Sequence, residues 1–214
     1  MKLSSSWKLF SIGTLLIIID QVSKILVKTQ MTIGESIPVF RDWFQIYFVE
    51  NEGMAFGMSF GGAVGKFLLT LFRIILVVFL TWYIRKLIQR KAPMGVLVGL
   101  MLITVGALGN IIDCLFYGVL FGPSTFYETA AFLPESGGYA PLFFGHVVDM
   151  LYFPLIDAVW PSWVPFVGGE EFIFFRPIFN FADSCITVGA FYLILFHWRF
   201  FAAEEHQSDL KTNE

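Results

Sequence analysis

The chain has 214 residues, 57% of them hydrophobic and 14% charged, with a formal net charge of -3. A soluble domain carries about 25% charged residues, so this composition, with a mean hydropathy of +0.72, excludes an ordinary soluble fold. The near balance of charge and the absence of a basic stripe exclude a nucleic-acid binder.

Four apolar segments are long enough to cross a bilayer, which takes about 20 residues. The first runs over 7–28. Lys2 and Lys8 imitate the basic start of a signal peptide, but Asp20 and Lys24 interrupt the apolar run and no small-x-small cleavage site follows. It is read as a span. Within "DQVSK", Asp20 and Lys24 stand four apart, on one helix face, where they can pair. The segment 29–63 follows. Its stretch from Trp43 to Val49 is aromatic and β-branched, which predicts short strands forming a small sheet at the membrane surface.

The second span covers 64–84. Its Lys66 and Arg73 either face the bundle or snorkel to an edge. The loop 85–93 opens with "RKLIQRK", four basic residues in seven, whereas 29–63 contains only Arg41 and 115–177 only Arg176. Basic loops stay cytoplasmic. The pattern predicts both termini and the 85–93 loop inside, and the two larger segments outside. The third span covers 94–114. Gly106 and Gly109 are expected to permit close helix packing, and Asn110 and Asp113 stand three apart near its outer end.

The second outer segment, 115–177, holds seven of the nine prolines and reads as long irregular loops. Its Trp160 and Trp163 suit the headgroup zone. The fourth span, 178–201, opens with "FNFADSCI", again with Asn180 and Asp183 three apart. Together these elements predict one membrane domain over 1–214, a mainly α four-helix bundle with a small extracytoplasmic β-sheet.

The polar residues of the spans gather at the outer ends. Ionisable groups inside a membrane are candidates for function. H-E-x-x-H and G-x-S-x-G are both absent, as is C-x-x-C spacing, so neither a metal site nor a serine nucleophile is predicted and no cofactor is expected. Cys114 and Cys185 read as free thiols packed against helices. His146, alone among the outer polar residues, reads as a packing or hydrogen-bonding histidine. Carboxylates remain. Two that share a site cannot both ionise easily, so one keeps a proton while the other acts as base toward water. Residue types alone leave open which two of Asp20, Asp113, Asp149 and Asp183 form that pair. A carboxylate relay in a transporter is the competing reading, and it predicts polar residues through the inner half as well. A non-catalytic assembly protein would leave the two Asn-x-x-Asp arrangements without a purpose.

In order and spacing, "DQVSK", "NEGMAFG", "GALGNIID", "VVDM" and "FNFADS" resemble the motif set of lipoprotein signal peptidase, signal peptidase II. The resemblance implies a bacterial inner-membrane aspartyl endopeptidase, active near the extracytoplasmic face. It would remove the signal peptide of diacylglyceryl-modified prolipoproteins on the N-terminal side of the lipidated cysteine. It implies Asp149 and Asp183 as catalytic residues. It places Asp20, Lys24, Asn51, Gly53, Asn110, Asp113, Asn180 and Ala182 in support. The partners implied are the prolipoprotein and membrane lipid, with the enzyme a monomer. One departure stands out: the family's pattern has Arg where this chain has Cys114, leaving Lys24 or Arg176 as candidates to supply the missing charge. The outer segment around Asp149 is also longer than the family's usual connections.

Overall fold

A computed structural model of the protein describes residues 5–41, 43–52, 62–174 and 177–212. Helix α1 spans Ser5–Gln30, strands β1 and β2 span Ser36–Phe40 and Phe44–Asn51, and helix α2 spans Gly62–Gln89. Helix α3 spans Met94–Ile112 and runs on through a π-helical turn, Asp113–Tyr117, and a final turn, Gly118–Leu120. Strands β3 (Val147–Tyr152), β4 (Ile156–Val159), β5 (Glu171–Phe174) and β6 (Ile178–Phe179) precede helix α4, Phe181–Thr212.

Four stretches are long and apolar enough to cross a membrane: Ser6–Gln30, Gly62–Gln89, Met94–Leu120 and Phe181–Ala202. The third is the hub. Its most apolar stretch is 61% buried, against 17–22% for the other three, so α3 forms the core while its neighbours turn apolar side chains outward. Val64, Leu68, Phe72 and Ile75 on α2, and Phe191, Ile194 and Leu195 on α4, are among those exposed groups. In water such a surface would be unfavourable; in hydrocarbon it is the expected one.

The helix α3 fits its neighbours because it is rich in glycine. A Cβ at Gly106 would lie 2.2 Å from the carbonyl oxygen of Ala182, and one at Gly99 would lie 2.5 Å from the Leu193 side chain. Only hydrogen at these positions lets α3 and α4 come this close. The turn into α3 is short. Arg85 to Gln89 continue α2, so the connection predicted over 85–93 is confined to 90–93. Pro93 stands just ahead of α3, where a missing N–H breaks no helical bond.

The main sheet has the order β1-β2-β3-β6, antiparallel throughout, with Val49 opposite Asp149 and Leu151 opposite Phe179. A separate two-stranded ribbon pairs β4 with β5. The small sheet is therefore as predicted, but the segment 115–177 is not simply irregular. It carries the end of α3 and three strands, and Asp149 sits on one of them. In "VVDMLY" the first four residues are all buried, so the alternation that marks a half-exposed strand is missing. The fourth span also starts later than 178: Ile178 and Phe179 are strand, and the helix begins at Phe181.

Candidate active site

The Asn-x-x-Asp spacing at the start of α4 is a helix cap. The Asn180 Oδ1 accepts from the Asp183 backbone N–H at 2.9 Å, and the Asp183 Oδ2 accepts from the Asn180 N–H at 3.3 Å. This reciprocal arrangement satisfies two otherwise unpaired donors. It also fixes both side chains at the mouth of the bundle. A third donor of this turn, the Ala182 N–H, is taken by Asp20 Oδ1 of α1 at 2.9 Å.

From the cap, hydrogen bonds spread to the other elements. The buried Asn180 amide donates to Asp149 Oδ1 at 2.7 Å and to Asn110 Oδ1 at 3.1 Å. The Asn110 amide donates to Asp183 Oδ1 at 2.8 Å. On the far side of Asp149, Asn51 of β2 donates to Oδ2 at 3.3 Å. Asp149 and Asp183 are thus both held within one asparagine network contributed by β2, α3 and the start of α4. Burial, and then the charge of Asp183, push the Asp149 carboxyl up to about 7.

Beneath this pair lies a buried ionic layer. Lys24 Nζ lies 2.8 Å from Asp113 Oδ2 and 3.1 Å from Asp20 Oδ2, and it donates to Asn110 Oδ1 at 2.9 Å. Gln21 donates to Asp20, to Asp113 and to the Gly109 carbonyl, and accepts from the Tyr117 hydroxyl at 3.2 Å. Asp113 Oδ2 accepts in addition from the Val148 N–H at 3.3 Å, which ties the π-helical turn to the strand of Asp149. A Cβ at Gly109 would lie 2.5 Å from Asp20 Oδ2, so glycine is needed there for the carboxylate to reach Ala182.

Every predicted site residue within the described residues is brought into this assembly: Asp20, Lys24, Asn51, Asn110, Asp113, Asp149, Asn180, Ala182 and Asp183. Gly53 and Arg176 lie outside the described residues. Sequence reasoning missed Gln21 and Tyr117. Gln21 had a signal, since it adjoins Asp20 within the same motif; Tyr117 had none. At the position where the family carries Arg, Cys114 is 1% exposed and unsuited to act as a nucleophile. Of the two candidates for the missing charge, Lys24 pairs with Asp113 and Arg176 lies outside the described residues; a third basic group, Arg73 of α2, places Nη1 3.8 Å from the Cys114 sulfur. Lys66 is buried, so Lys66 and Arg73 of α2 are both drawn toward the bundle.

No group of three or more metal-ligating side chains occurs among the described residues. The core of the opposite half of the bundle is apolar, with Leu9, Leu80, Leu87, Leu97, Leu100 and Leu193 clustered; the contacts of that half include a polar one, His197 with Tyr192 at 3.3 Å. A relay across the membrane would need polar groups through that core. What the fold and site define is a membrane enzyme with a carboxylate pair at one end of a helical bundle.

The comparisons with known proteins agree. The profile of the family described as Signal peptidase (SPase) II matches residues 12–199. The lipoprotein signal peptidase of Porphyromonas gingivalis is 52% identical over 182 residues, covering 85% of this chain and 78% of the relative. That of Amoebophilus asiaticus is 35% identical over 192 residues, covering 88% and 77%. A bacterial membrane enzyme structure determined in meso at 1.9 Å superposes with a TM-score of 0.55 at 25% identity, covering 88% of this chain and 90% of that one. Another, at 2.3 Å, has a TM-score of 0.54 at 24% identity, with 94% and 90% covered, and supports the fold. The chain belongs to the signal peptidase II family, the proteases that cleave signal peptides from lipoprotein precursors.

Proposed function

We propose that Asp149 and Asp183 are the catalytic pair, and that the protein hydrolyses the peptide bond on the N-terminal side of a diacylglyceryl-modified cysteine. The observation that carries this reading is the asparagine network joining the two carboxyls, with Asp149 raised to about 7 by its burial and by the charge beside it. Asp149 carries the shared proton and Asp183 is the base. Asp183 takes a proton from water as the oxygen attacks the scissile carbonyl, while Asp149 hydrogen-bonds that carbonyl oxygen. The C–N bond then breaks, and the leaving nitrogen takes a proton from the pair.

The surrounding residues hold the pair. Asn180 and Asn51 orient Asp149, Asn110 orients Asp183, and Lys24 keeps Asp20 and Asp113 compensated beneath them. Gly53 belongs with the supporting residues by the family resemblance. The signal peptide's apolar part would enter between helices from the lipid, with the diacylglyceryl chains left in lipid and the sheet clamping the cleavage site.

The chain acts as one membrane domain over 1–214, a monomer in the bacterial inner membrane, with both termini cytoplasmic and the pair near the extracytoplasmic face. The charge of the α2–α3 turn supports that orientation. The test of the activity is direct. Purified protein incubated with a diacylglyceryl-modified prolipoprotein should produce a mass loss equal to its signal peptide. The same precursor without the diacylglyceryl group should remain uncut. Equal cleavage of both precursors would contradict the assigned substrate class.

A further inference from the structure

The sheet that presents Asp149 has two faces, and the mechanism uses one. Side chains alternate along a strand, so on β2 Asn51 points toward Asp149 while its neighbour Glu50 points away. Glu50 stands opposite Val148, and Asn51 stands opposite Val147. On Glu50's side the sheet is closed by a second core in which Phe48, Val148 and Met150 meet Tyr117, Phe121 and Ala130.

Glu50 is nearly buried, and three partners from separate parts of the chain converge on it. Lys28, from the end of α1 and 0% exposed, forms an ion pair with Oε1. Ser124 Oγ donates to the same oxygen at 2.7 Å, and Lys28 Nζ donates to Ser124 at 3.0 Å. His146 Nδ1 lies 3.0 Å from Oε2. Tyr139 completes the cluster: its hydroxyl accepts from the His146 backbone N–H at 2.6 Å, and its ring lies 4.8 Å from the Lys28 ammonium. Burial alone would raise the Glu50 carboxyl, but His146, Lys28 and Ser124 outweigh it and hold the group down at about 2. It therefore stays ionised across the working range.

We propose that Glu50 is a positioning residue for the reaction: it locks β2 and the outer segment 121–146 to α1, and thereby sets the reach of Asn51 to Asp149. The inference rests on the assignment of Asp149 to the catalytic pair. Asn51 is the residue next to Glu50 on β2, and His146 is the residue just before β3. The cluster thus grips both strands next to the point where Asn51 meets Asp149, at 3.3 Å. A shift of either strand would lengthen that contact first.

The test is a set of double-mutant cycles with Asn51→Ala, using purified protein and a diacylglyceryl-modified prolipopeptide. Glu50→Gln should lower kcat on the order of tenfold or more, as misplacement of a reacting group does, with KM changed by less than about twofold. Combined with Asn51→Ala it should add little, because both act through one contact. Ser124→Ala and His146→Gln leave the Lys28–Glu50 ion pair in place and should lower kcat in the same sense by less, again without adding to Asn51→Ala. They serve where Glu50→Gln fails to fold. A merely structural role predicts a lower melting temperature with unchanged kcat in the folded fraction. That result, or losses that multiply fully with Asn51→Ala, would overturn the proposal. Unimpaired turnover by Asp149→Asn is a separate outcome and would overturn the catalytic assignment itself.

Discussion

In the mechanism proposed, Lys24 governs the site without touching the reaction. Its ammonium is fully buried and serves Asp20, Asp113 and Asn110 at once. Replacing it by methionine would keep the volume and leave two carboxylates buried without a cation. Breaking a buried pair in this way costs about 3–5 kcal/mol. Lys24→Met should therefore reduce the yield of folded protein and its melting temperature in detergent, and Lys24→Met/Asp113→Asn should recover part of the loss. Asp149 has the opposite signature. Its folded carboxyl sits at about 7 against an ordinary value of 3.8, so the folded state resists its ionisation. The stability this confers is complete below the ordinary value and is lost as pH rises toward 7. Asp149→Asn cannot ionise, so its melting temperature should gain on the parent as pH is raised from about 4 to 7.

At this scale the sequence was informative in part. The Asn-x-x-Asp spacings and the Asp20–Lys24 pair were visible because each lies within a few residues of sequence. Choosing Asp149 needed the family resemblance, since its strand has no alternation and its partners Asn51 and Asn180 are far away along the chain. The Glu50 cluster was invisible for the same reason. Its members are spread from Lys28 to His146, and nothing in residue type distinguishes a convergent ion pair from separate surface charges.

Among the elements, α3 and α4 form the joint on which the site depends. Their spans were legible from length and hydropathy, and the close packing expected at Gly106 is found; Gly99, which meets Leu193, was not singled out. Gly106→Ala puts a methyl group 2.2 Å from the Ala182 carbonyl oxygen, backbone that cannot rotate aside. The helices must separate, at about 1–3 kcal/mol for overpacking. Asn110 and Asn180 would then lose their 3.1 Å contact. The variant should lose kcat as well as stability, measurable as a fall in turnover that exceeds the fall in folded fraction. The sheet makes a similar joint. Because β6 pairs with β3 and leads directly into α4, the strand of Asp149 and the helix of Asp183 are coupled through Leu151 and Phe179.

The mechanism proposed places the chemistry at one end of the bundle, away from the leucine-rich core cluster. The basic turn between α2 and α3 lies at the other end of α3 from Asn110 and Asp113, which is why the charge pattern also orients the site. Reporter fusions after Gln89 and after Ser136 should score on opposite sides of the membrane, the first cytoplasmic. The same side for both would rule out the four-span arrangement. The central claim is that one pair of aspartates hydrolyses the lipoprotein precursor, and it is tested most directly by single-turnover cleavage of a diacylglyceryl-modified prolipoprotein by Asp149→Asn, Asp183→Asn and the double variant. Each single change should lower the rate by about a thousandfold, the middle of the range for loss of a general acid or base. The double should be little slower than either, since members of one catalytic unit do not act additively. The parent's rate should follow a bell-shaped pH curve belonging to the pair. Near-normal cleavage by Asp149→Asn or Asp183→Asn, or full multiplication of the two losses, would contradict the account.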